Sequence, residues 1–541
     1  MKILGFVRTY LSKYKCRVVL YAVLSMVLWL LSLVTPFSVG NYLDSLLRYN
    51  SQAVIWNTVA VLAVFWTLQL IVSYAKNIIN TQLQTKICND IKVNVLEHLI
   101  KVPLGFFTKN NSAYLNQRIA VDAQTLTAFA ISDVLSAIET VFSFIIICVI
   151  LFSLNKVLFY FLCALLPIYL LIYFVSKSPL YNLRQQYSEA NATFYSATHH
   201  LLSNAKAIKL HEWQHRLFQE IRTSFDSLYT VAVKNAWLGY IINNIDSLIR
   251  YFANIGIFVY AGYQILDGEM SIGEFTMINS YASMLISYMS AALRLGKSYR
   301  ISTVAYDRIK QLLDEHEEPC GIEQLERVST IKVEKLCFGY GVKPIIRDLS
   351  FMLQRGYIYS FVGDNGSGKS TLMNILCGLE QDYTGSIMID GIDLRNIDHH
   401  HLRKHLISFV EQEPLLSFKT LRENILHEGD DLDTYSYWIE QLNLMDFIAS
   451  FDKGLDHSVS EKTTNLSGGE KQKFAIVRAL VKDTDVLILD EPDSALDKES
   501  TASLIEILKQ EKEDKIIAVV THNKKFAELG DFVISLSETV E

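Results

Sequence analysis

Six long apolar runs, all ending before residue 294, constrain this chain more than any other feature. They cover approximately 18–39, 54–74, 137–154, 157–175, 241–263 and 275–293, with few or no charges in each. A helix needs ~20 apolar residues to cross ~30 Å of hydrocarbon, and most of these runs are close to that length. As buried helices of a soluble protein they would leave little polar surface to cover them, so the sequence predicts six membrane spans. The third and fourth are separated only by Asn155 and Lys156, which predicts a tight hairpin. No cleaved leader is expected in the first run, which lacks a small-residue cleavage site and is followed by five more.

The net charge of -7 over 541 residues hides two unlike parts. Through residue 318 there are 26 Lys and Arg against 19 Asp and Glu; from Pro319 onward the counts are 24 and 38. A chain that is 50% hydrophobic cannot be a disordered polymer, and its seven cysteines form no close pair, CxxC or Cys/His cluster. The expected organisation is a membrane domain over 1–318, a linker over 319–330 and a polar domain over 331–541. Nothing in this pattern points to nucleic acid.

Orientation follows from the excess of Lys and Arg on cytoplasmic loops. Lys2, Arg8, Lys13, Lys15 and Arg17 precede the first span. The second–third loop carries Lys76, Lys86, Lys92, Lys101, Lys109 and Arg118, and the fourth–fifth loop is similarly basic. The fifth–sixth loop instead carries Asp267, Glu269 and Glu274. Both termini and the acidic domain therefore fall in the cytoplasm. Ile3, Val7, Tyr10 and Tyr14 recur at helical spacing with lysines between, the pattern of a short interfacial helix. The two inner loops, each about 60 residues long and helical in pattern, would carry the bundle far into the cytoplasm.

The acidic domain contains a phosphate-binding loop. An apolar strand at 357–362 leads into Gly363, Asp364, Asn365, Gly366, Ser367, Gly368, Lys369, Ser370 and Thr371, followed by a helical segment. This is a full G-x-x-x-x-G-K-[ST] between a strand and a helix. Glycines let backbone N–H groups close around phosphates, and the helix N-terminus adds partial positive charge. Lys369 would reach the β- and γ-phosphates of ATP, and Ser370 would ligate Mg²⁺. A second apolar strand ends in Asp490 and Glu491, placed to hold Mg²⁺ through a water and to polarise the attacking water, respectively. A third strand, at 516–520, delivers Thr521 and His522. Ser467 and Glu470 have capping-box spacing around Gly468 and Gly469, at the start of an amphipathic helix.

The strings LSGGE, GDNGSGKST, VLILDEP and SALD resemble the nucleotide-binding domain of an ATP-binding cassette (ABC) transporter, and six preceding spans with long inner loops resemble an exporter half-transporter. The fold this implies is an all-α six-helix transmembrane domain followed by an α/β P-loop ATPase domain. The resemblance implies that Tyr340 stacks on adenine and that Gln412 senses the γ-phosphate and Mg²⁺. It implies that Ser467, Gly468 and Gly469 close over ATP held by the other subunit, that Asp497 couples the two sites, and that His522 is the switch histidine. Catalysis would rest on Lys369, Gln412, Glu491 and His522, with Ser370, Gln412 and Asp490 around the metal. Glu461 would lie in the contact segment before the signature, and 121–125 and 210–217 align with coupling helices. Asp493 stands where the family usually has threonine, and 110–114 lacks the usual glycine. Neither departure removes a catalytic atom, so a homodimer would hold two complete sites, and a heterodimer with a second half-transporter is the alternative.

The cargo is read from the membrane spans. Asn243, Asp246, Arg250 and Asn254 share one face of the fifth, and charges at that depth face a cavity or one another. The sixth adds Asn279, Ser283, Ser287 and Ser290. A polar, mixed-charge wall suits a peptide, so the expected function is ATP-driven peptide export across a bacterial plasma membrane. Multidrug or lipid export is the alternative, and an ATP-gated regulatory or channel-like protein is the alternative of a different class. With the first span beginning near Val18, no fused peptidase is expected ahead of it, and leader removal would fall to another protein.

Overall fold

The computed structural model describes residues 2–48, 52–110, 112–339, 344–426, 432–459 and 466–536. It divides into two compact units, one of Met1–Leu99 and Ala113–Asp314, the other of Ile100–Ser112 and Glu315–Glu541.

The described residues of the first unit are helical almost throughout. In chain order they form α1 (Lys2–Leu11), α2 (Lys15–Arg48) and α3 (Gln52–Leu99). After α4 (Leu104–Lys109), which belongs to the second unit, come α5 (Ser112–Ala128), α6 (Val134–Leu154), α7 (Lys156–Cys163) and α8 (Leu166–Ser203). The unit closes with α9 (Ala205–Leu210), α10 (Gln214–Leu266) and α11 (Ile272–Leu313). All six apolar runs lie in these helices. Three continuous helical stretches, Ile3–Leu46, Ile55–Leu99 and Arg118–Leu154, are long and apolar enough by composition to cross a membrane, and Lys156–Tyr169 is a shorter apolar stretch. The fourth run is interrupted between α7 and α8, while the fifth and sixth lie in α10 and α11, where polar side chains dilute the hydropathy. With 53 residues, α10 is about 80 Å long at 1.5 Å per residue, far more than a bilayer needs.

Local chemistry sets the helix ends. Asn155 leaves the helical region at φ -154° and its side chain accepts the Leu158 N–H, so it ends α6 and caps α7. Ser271 and Glu274 form a reciprocal capping box at the start of α11. There α2 and α11 approach through glycine: a Cβ on Gly273 would lie 2.2 Å from the Gly40 carbonyl oxygen. Asp44 ties the same junction, accepting the Ser271 hydroxyl at 2.7 Å and the Gly273 N–H at 2.8 Å. The apolar stripe of α1 is used within the protein rather than at a membrane surface. Ile3, Val7 and Tyr10 are buried, the Tyr10 hydroxyl accepts a hydrogen bond from Asn94, and Tyr14 donates to Asp90, both on α3.

The second unit holds two sheets. The strands are β1 (Thr330–Phe338), β2 (Ile346–Gln354), β3 (Ile358–Val362), β4 (Thr384–Ile389), β5 (Ile392–Asp393), β6 (Ile407–Val410), β7 (Val486–Asp490), β8 (Ile516–Val520) and β9 (Phe532–Ser535). An antiparallel sheet runs β2-β1-β4-β5, and a parallel one runs β6-β7-β8-β3-β9. Strands β7 and β8 are buried along their whole length, as near-continuous apolar strands of a covered parallel sheet should be. The residues just before β1 are packed: Gly321 and Glu323 donate backbone hydrogen bonds to Ile397 and Asn396, and Val328 is fully buried. Glu318 pairs with Arg403 at 2.7 Å, and its N–H donates to the Lys101 carbonyl, within the 100–112 segment of the same unit.

Candidate active site

Parallel strands deliver their carboxyl ends to one edge, and the chemistry collects there. β3 runs into the loop 363–368, which enters helix α12 (Lys369–Leu376). Gly366 and Gly368 have φ of 85° and 93°, in the left-handed region that glycine occupies without strain. Gly363 is needed for closeness instead, since a Cβ there would meet the Leu536 carbonyl oxygen at 2.5 Å. Ser367, Gly368 and Lys369 are buried, while Asp364, Asn365, Gly366 and Ser370 are exposed. Lys369 Nζ donates to the carbonyls of Gly363 and Asp364, each at 2.9 Å, which curls the loop around the ammonium. Thr371 sits in the first turn of α12.

The neighbouring strands complete the edge. Asp490, the last residue of β7, is 5% exposed; burial pushes its carboxyl up, opposed by a hydrogen bond with Ser370. Its Oδ1 is buried with no hydrogen-bond partner among the described residues. A buried carboxylate oxygen left open beside a serine hydroxyl fits a hard divalent cation, so Ser370 and Asp490 suit Mg²⁺. Glu491 follows at φ 47°, a strained backbone for a non-glycine residue, held by its N–H on the Val520 carbonyl. Gln412 Nε2 donates to Glu491 Oε2 at 2.7 Å, and His522 Nε2 lies 3.2 Å from Glu491 Oε1. Three residues scattered over 110 positions of sequence thus meet at one carboxylate.

Ser467 caps the helix Gly468–Val481 in a full capping box with Glu470. Gly469 packs so close to the Ala495 carbonyl that a Cβ would lie 2.7 Å from it. Asp497 caps the helix Lys498–Glu511 through the Ser500 N–H at 2.7 Å. Tyr340 and Glu461 lie outside the described residues.

In the membrane unit, Asp246 and Arg250 pair at 3.0 Å and are tied to neighbouring helices. Tyr169 of α8 and Ser290 of α11 donate to Asp246, and Arg250 donates to Ser287 and Ser290. Asn243 is exposed and Asn254 half-buried, one on each side of this network. Of the two segments aligned with coupling helices, 121–125 lies inside α5 with Asp122 and Ala123 buried, while 210–217 forms the turn from α9 into α10 with Leu210 and Trp213 exposed.

The model of the ABC transporter transmembrane region matches residues 18–289, and that of the ABC transporter matches 346–494. The chain belongs to the ABC transporters. It is an exporter half-transporter, a membrane domain fused to an ABC ATPase coupled to transport. It is 26% identical over 490 residues to the transport/processing ATP-binding protein ComA of Streptococcus pneumoniae, covering 88% of this chain and 67% of that one. It is also 26% identical over 460 residues to the ATP-dependent lipid A-core flippase of Photobacterium profundum, covering 84% and 78%. Its fold is that of a bacterial Atm1-family ABC exporter solved with ATP bound, with a TM-score of 0.84, 20% identity, and 96% and 93% of the two chains covered.

Two features of this ABC transporter escaped the sequence. Asp493 accepts hydrogen bonds from Asn523 at 2.8 Å and Thr521 at 3.4 Å, bridging the segment after Glu491 to the loop that carries His522. The Asp493 substitution was visible, but its partners were not, because they lie about 30 residues away. Lys76, one of the basic residues of the second–third loop, forms an ion pair with Glu139 at 3.5 Å.

Proposed function

We propose that this half-transporter assembles as a homodimer, binds two ATP between its ATPase domains, and uses their hydrolysis to export a peptide across a bacterial plasma membrane, with the ATPase domain in the cytoplasm. The observation that carries the catalytic part is the convergence of Gln412 and His522 on Glu491.

Lys369 and the amides of 363–371 would hold the β- and γ-phosphates, and Ser370, Asp490 and Gln412 would hold the metal. Mg²⁺, when bound, neutralises charge on the phosphate oxygens. Glu491 accepts a proton from the water that attacks the γ-phosphorus, and ADP and phosphate leave. His522 orients that carboxylate and hydrogen-bonds the γ-phosphate, while Gln412 releases Glu491 to do so. Ser467, Gly468 and Gly469 face ATP held by the partner, Asp497 links the two sites, and Tyr340 stacks on adenine. Loss of the γ-phosphate removes the charge that bridges the two domains, and the dimer loosens.

A peptide cargo is supported by the polar stripe Asn243, Asp246, Arg250 and Asn254 and by the relative whose name pairs transport with processing. A lipid cargo is the second reading, favoured by the equally similar lipid A-core flippase. ATPase activity in proteoliposomes, measured against hydrophobic peptides and lipid A-type glycolipids, separates the two: stimulation by peptide alone supports the first, by glycolipid alone the second. Transport that persisted at full rate in Glu491→Gln would instead indicate an ATP-gated channel.

A further inference from the structure

The helix that follows the loop 363–368 is held at its far end as well as at its phosphate end. With eight residues α12 is about 12 Å long, and Leu372, Met373, Ile375 and Leu376 are each at most 1% exposed, so it can move only as a rod. It ends in a Schellman turn: the Leu379 N–H donates to the Asn374 carbonyl and the Gly378 N–H to that of Ile375, with Gly378 at φ 69°.

Two side chains then reach the Gly378 carbonyl, Gln381 Nε2 at 3.3 Å and Arg403 Nη1 at 3.4 Å. Each has a shorter contact with the start of the linker. Arg403 forms a two-pronged pair with Glu318, at 2.7 and 3.3 Å, and Gln381 donates to the Pro319 carbonyl at 2.7 Å. Gln381 Nε2 also lies 2.9 Å from His399 Nδ1, so its two protons are shared among three acceptors, and Arg403 is the firmer strut.

The charge suits the place. The C-terminal end of a helix carries partial negative charge, which a guanidinium complements. The Cys377 thiol, one residue before Gly378, lies in that field: burial pushes it up to about 12, opposed by Arg403 and Lys482. Lys482 in turn donates to the Arg403 carbonyl at 2.6 Å, which fixes the strut's own backbone. At its other end the strut meets a second tie. The Glu318 N–H donates to the Lys101 carbonyl at 2.6 Å, and these residues lie five positions past α11 and two past α3. Arg403 therefore joins the end of the P-loop helix to a point where the chain segments leaving two long membrane helices are bonded to each other.

We propose that Arg403 is a positioning residue for ATP: by fixing the far end of α12 to Glu318 it makes the nucleotide affinity of 363–371 depend on how the linker is seated. By linkage, nucleotide tightens that seat by the same factor. The inference rests on the reading of 363–371 as the ATP loop. A tilted α12 moves the phosphate-binding amides in the ground state and the transition state alike, so the loss falls on KM.

The test uses the full chain in nanodiscs. Arg403→Gln is expected to raise KM for ATP about tenfold and to lower kcat less than twofold, the opposite split to a change at Glu491. Arg403→Lys, which keeps the charge and one contact, should recover part of the loss. Glu318→Gln should raise KM in the same sense, and keeps the test open should Arg403→Gln fail to fold. The double variant should be no worse than Arg403→Gln alone, because both changes act through one contact. The reciprocal effect is read at Cys320, an exposed thiol next to Pro319. Saturating ADP, which lacks the γ-phosphate that joins two subunits, should slow maleimide labelling of Cys320 about fivefold, and should not do so in Arg403→Gln. Peptide mass spectrometry separates this thiol from the others. A loss confined to kcat, additive effects of Arg403→Gln and Glu318→Gln, or equal protection of Cys320 in both proteins would overturn the proposal. Lys369→Ala checks the loop by itself: nucleotide binding that survived there with full affinity would refute the ATP-loop reading, whatever the strut does.

Discussion

The two units of this transporter concentrate polar side chains in opposite ways. In the ATPase unit, Lys369, Asp490 and Glu491 lie at or beyond the carboxyl ends of β3 and β7, the two parallel strands that flank β8, and each arrives with a short stretch of contiguous sequence. In the membrane unit, Asp246 and Arg250 meet Tyr169, Ser287 and Ser290 from two other helices, as much as 77 residues away. A parallel sheet collects function at one edge, so motifs are local; a helix bundle spreads it over faces, so a site is a meeting of distant residues. The same difference governs how changes should be felt.

The largest effect is expected at the strand edge. Glu491→Gln keeps the shape and the Gln412 contact region but removes the proton acceptor, and should lower ATPase turnover by at least about 100-fold while ATP still binds. Steady-state phosphate release with nucleotide binding measured in parallel checks both halves of that statement. A loss of less than tenfold would mean that the edge is not where the chemistry resides, and the contrast between the units would collapse.

Next comes a steric change in the membrane unit. Gly273→Val forces a Cβ toward the Gly40 carbonyl, where only 2.2 Å is available, so the α2–α11 contact must open. Overpacking of this kind costs roughly 1–3 kcal/mol, and the unfolding midpoint of the detergent-purified protein should fall by several degrees. An unchanged midpoint would show that the helices are free to separate there.

The Asp246–Arg250 network gives a smaller effect, because both side chains are about one-third exposed. Arg250→Ala leaves Asp246 with only Tyr169 and Ser290 and should destabilise by about 1 kcal/mol, whereas Asp246→Asn keeps an acceptor and should cost less. If these substitutions changed cargo-stimulated ATPase and left the unfolding midpoint alone, the network would be lining the transport path rather than bracing three helices.

How much could be read in advance follows from the same geometry. The loop 363–371, the Asp490–Glu491 pair and the Ser467 capping box are legible because each depends on residues within a few positions of one another. The six apolar runs are legible because the bilayer imposes a length, but the breaks are not: the interruption between α7 and α8 and the placement of 100–112 with the ATPase unit depend on packing. The stripe of α1 is legible as amphipathic, but periodicity shows that a face is apolar without showing what covers it, here the protein and not the membrane surface. Lys76 and Glu139 stand 63 positions apart in sequence, and only the fold brings them together.

The smallest prediction probes a link within the ATPase unit that behaves like the membrane unit, a contact between distant residues. Asp493 holds Asn523 and Thr521, and Asn523 caps the short helix after His522 through the Lys525 N–H. Asp493→Ala removes both acceptor contacts without touching Glu491, so His522 loses a support rather than a partner. Two partly exposed hydrogen bonds are worth roughly 1 kcal/mol each, and only part of that is felt as orientation, so turnover should fall about threefold to tenfold with KM for ATP nearly unchanged. Asp493→Asn, which can still accept one of the two bonds, should recover part of the loss. A fall in KM-controlled binding instead, or no recovery with asparagine, would mean that the carboxylate acts by its charge on the nucleotide and not by positioning the loop that carries His522.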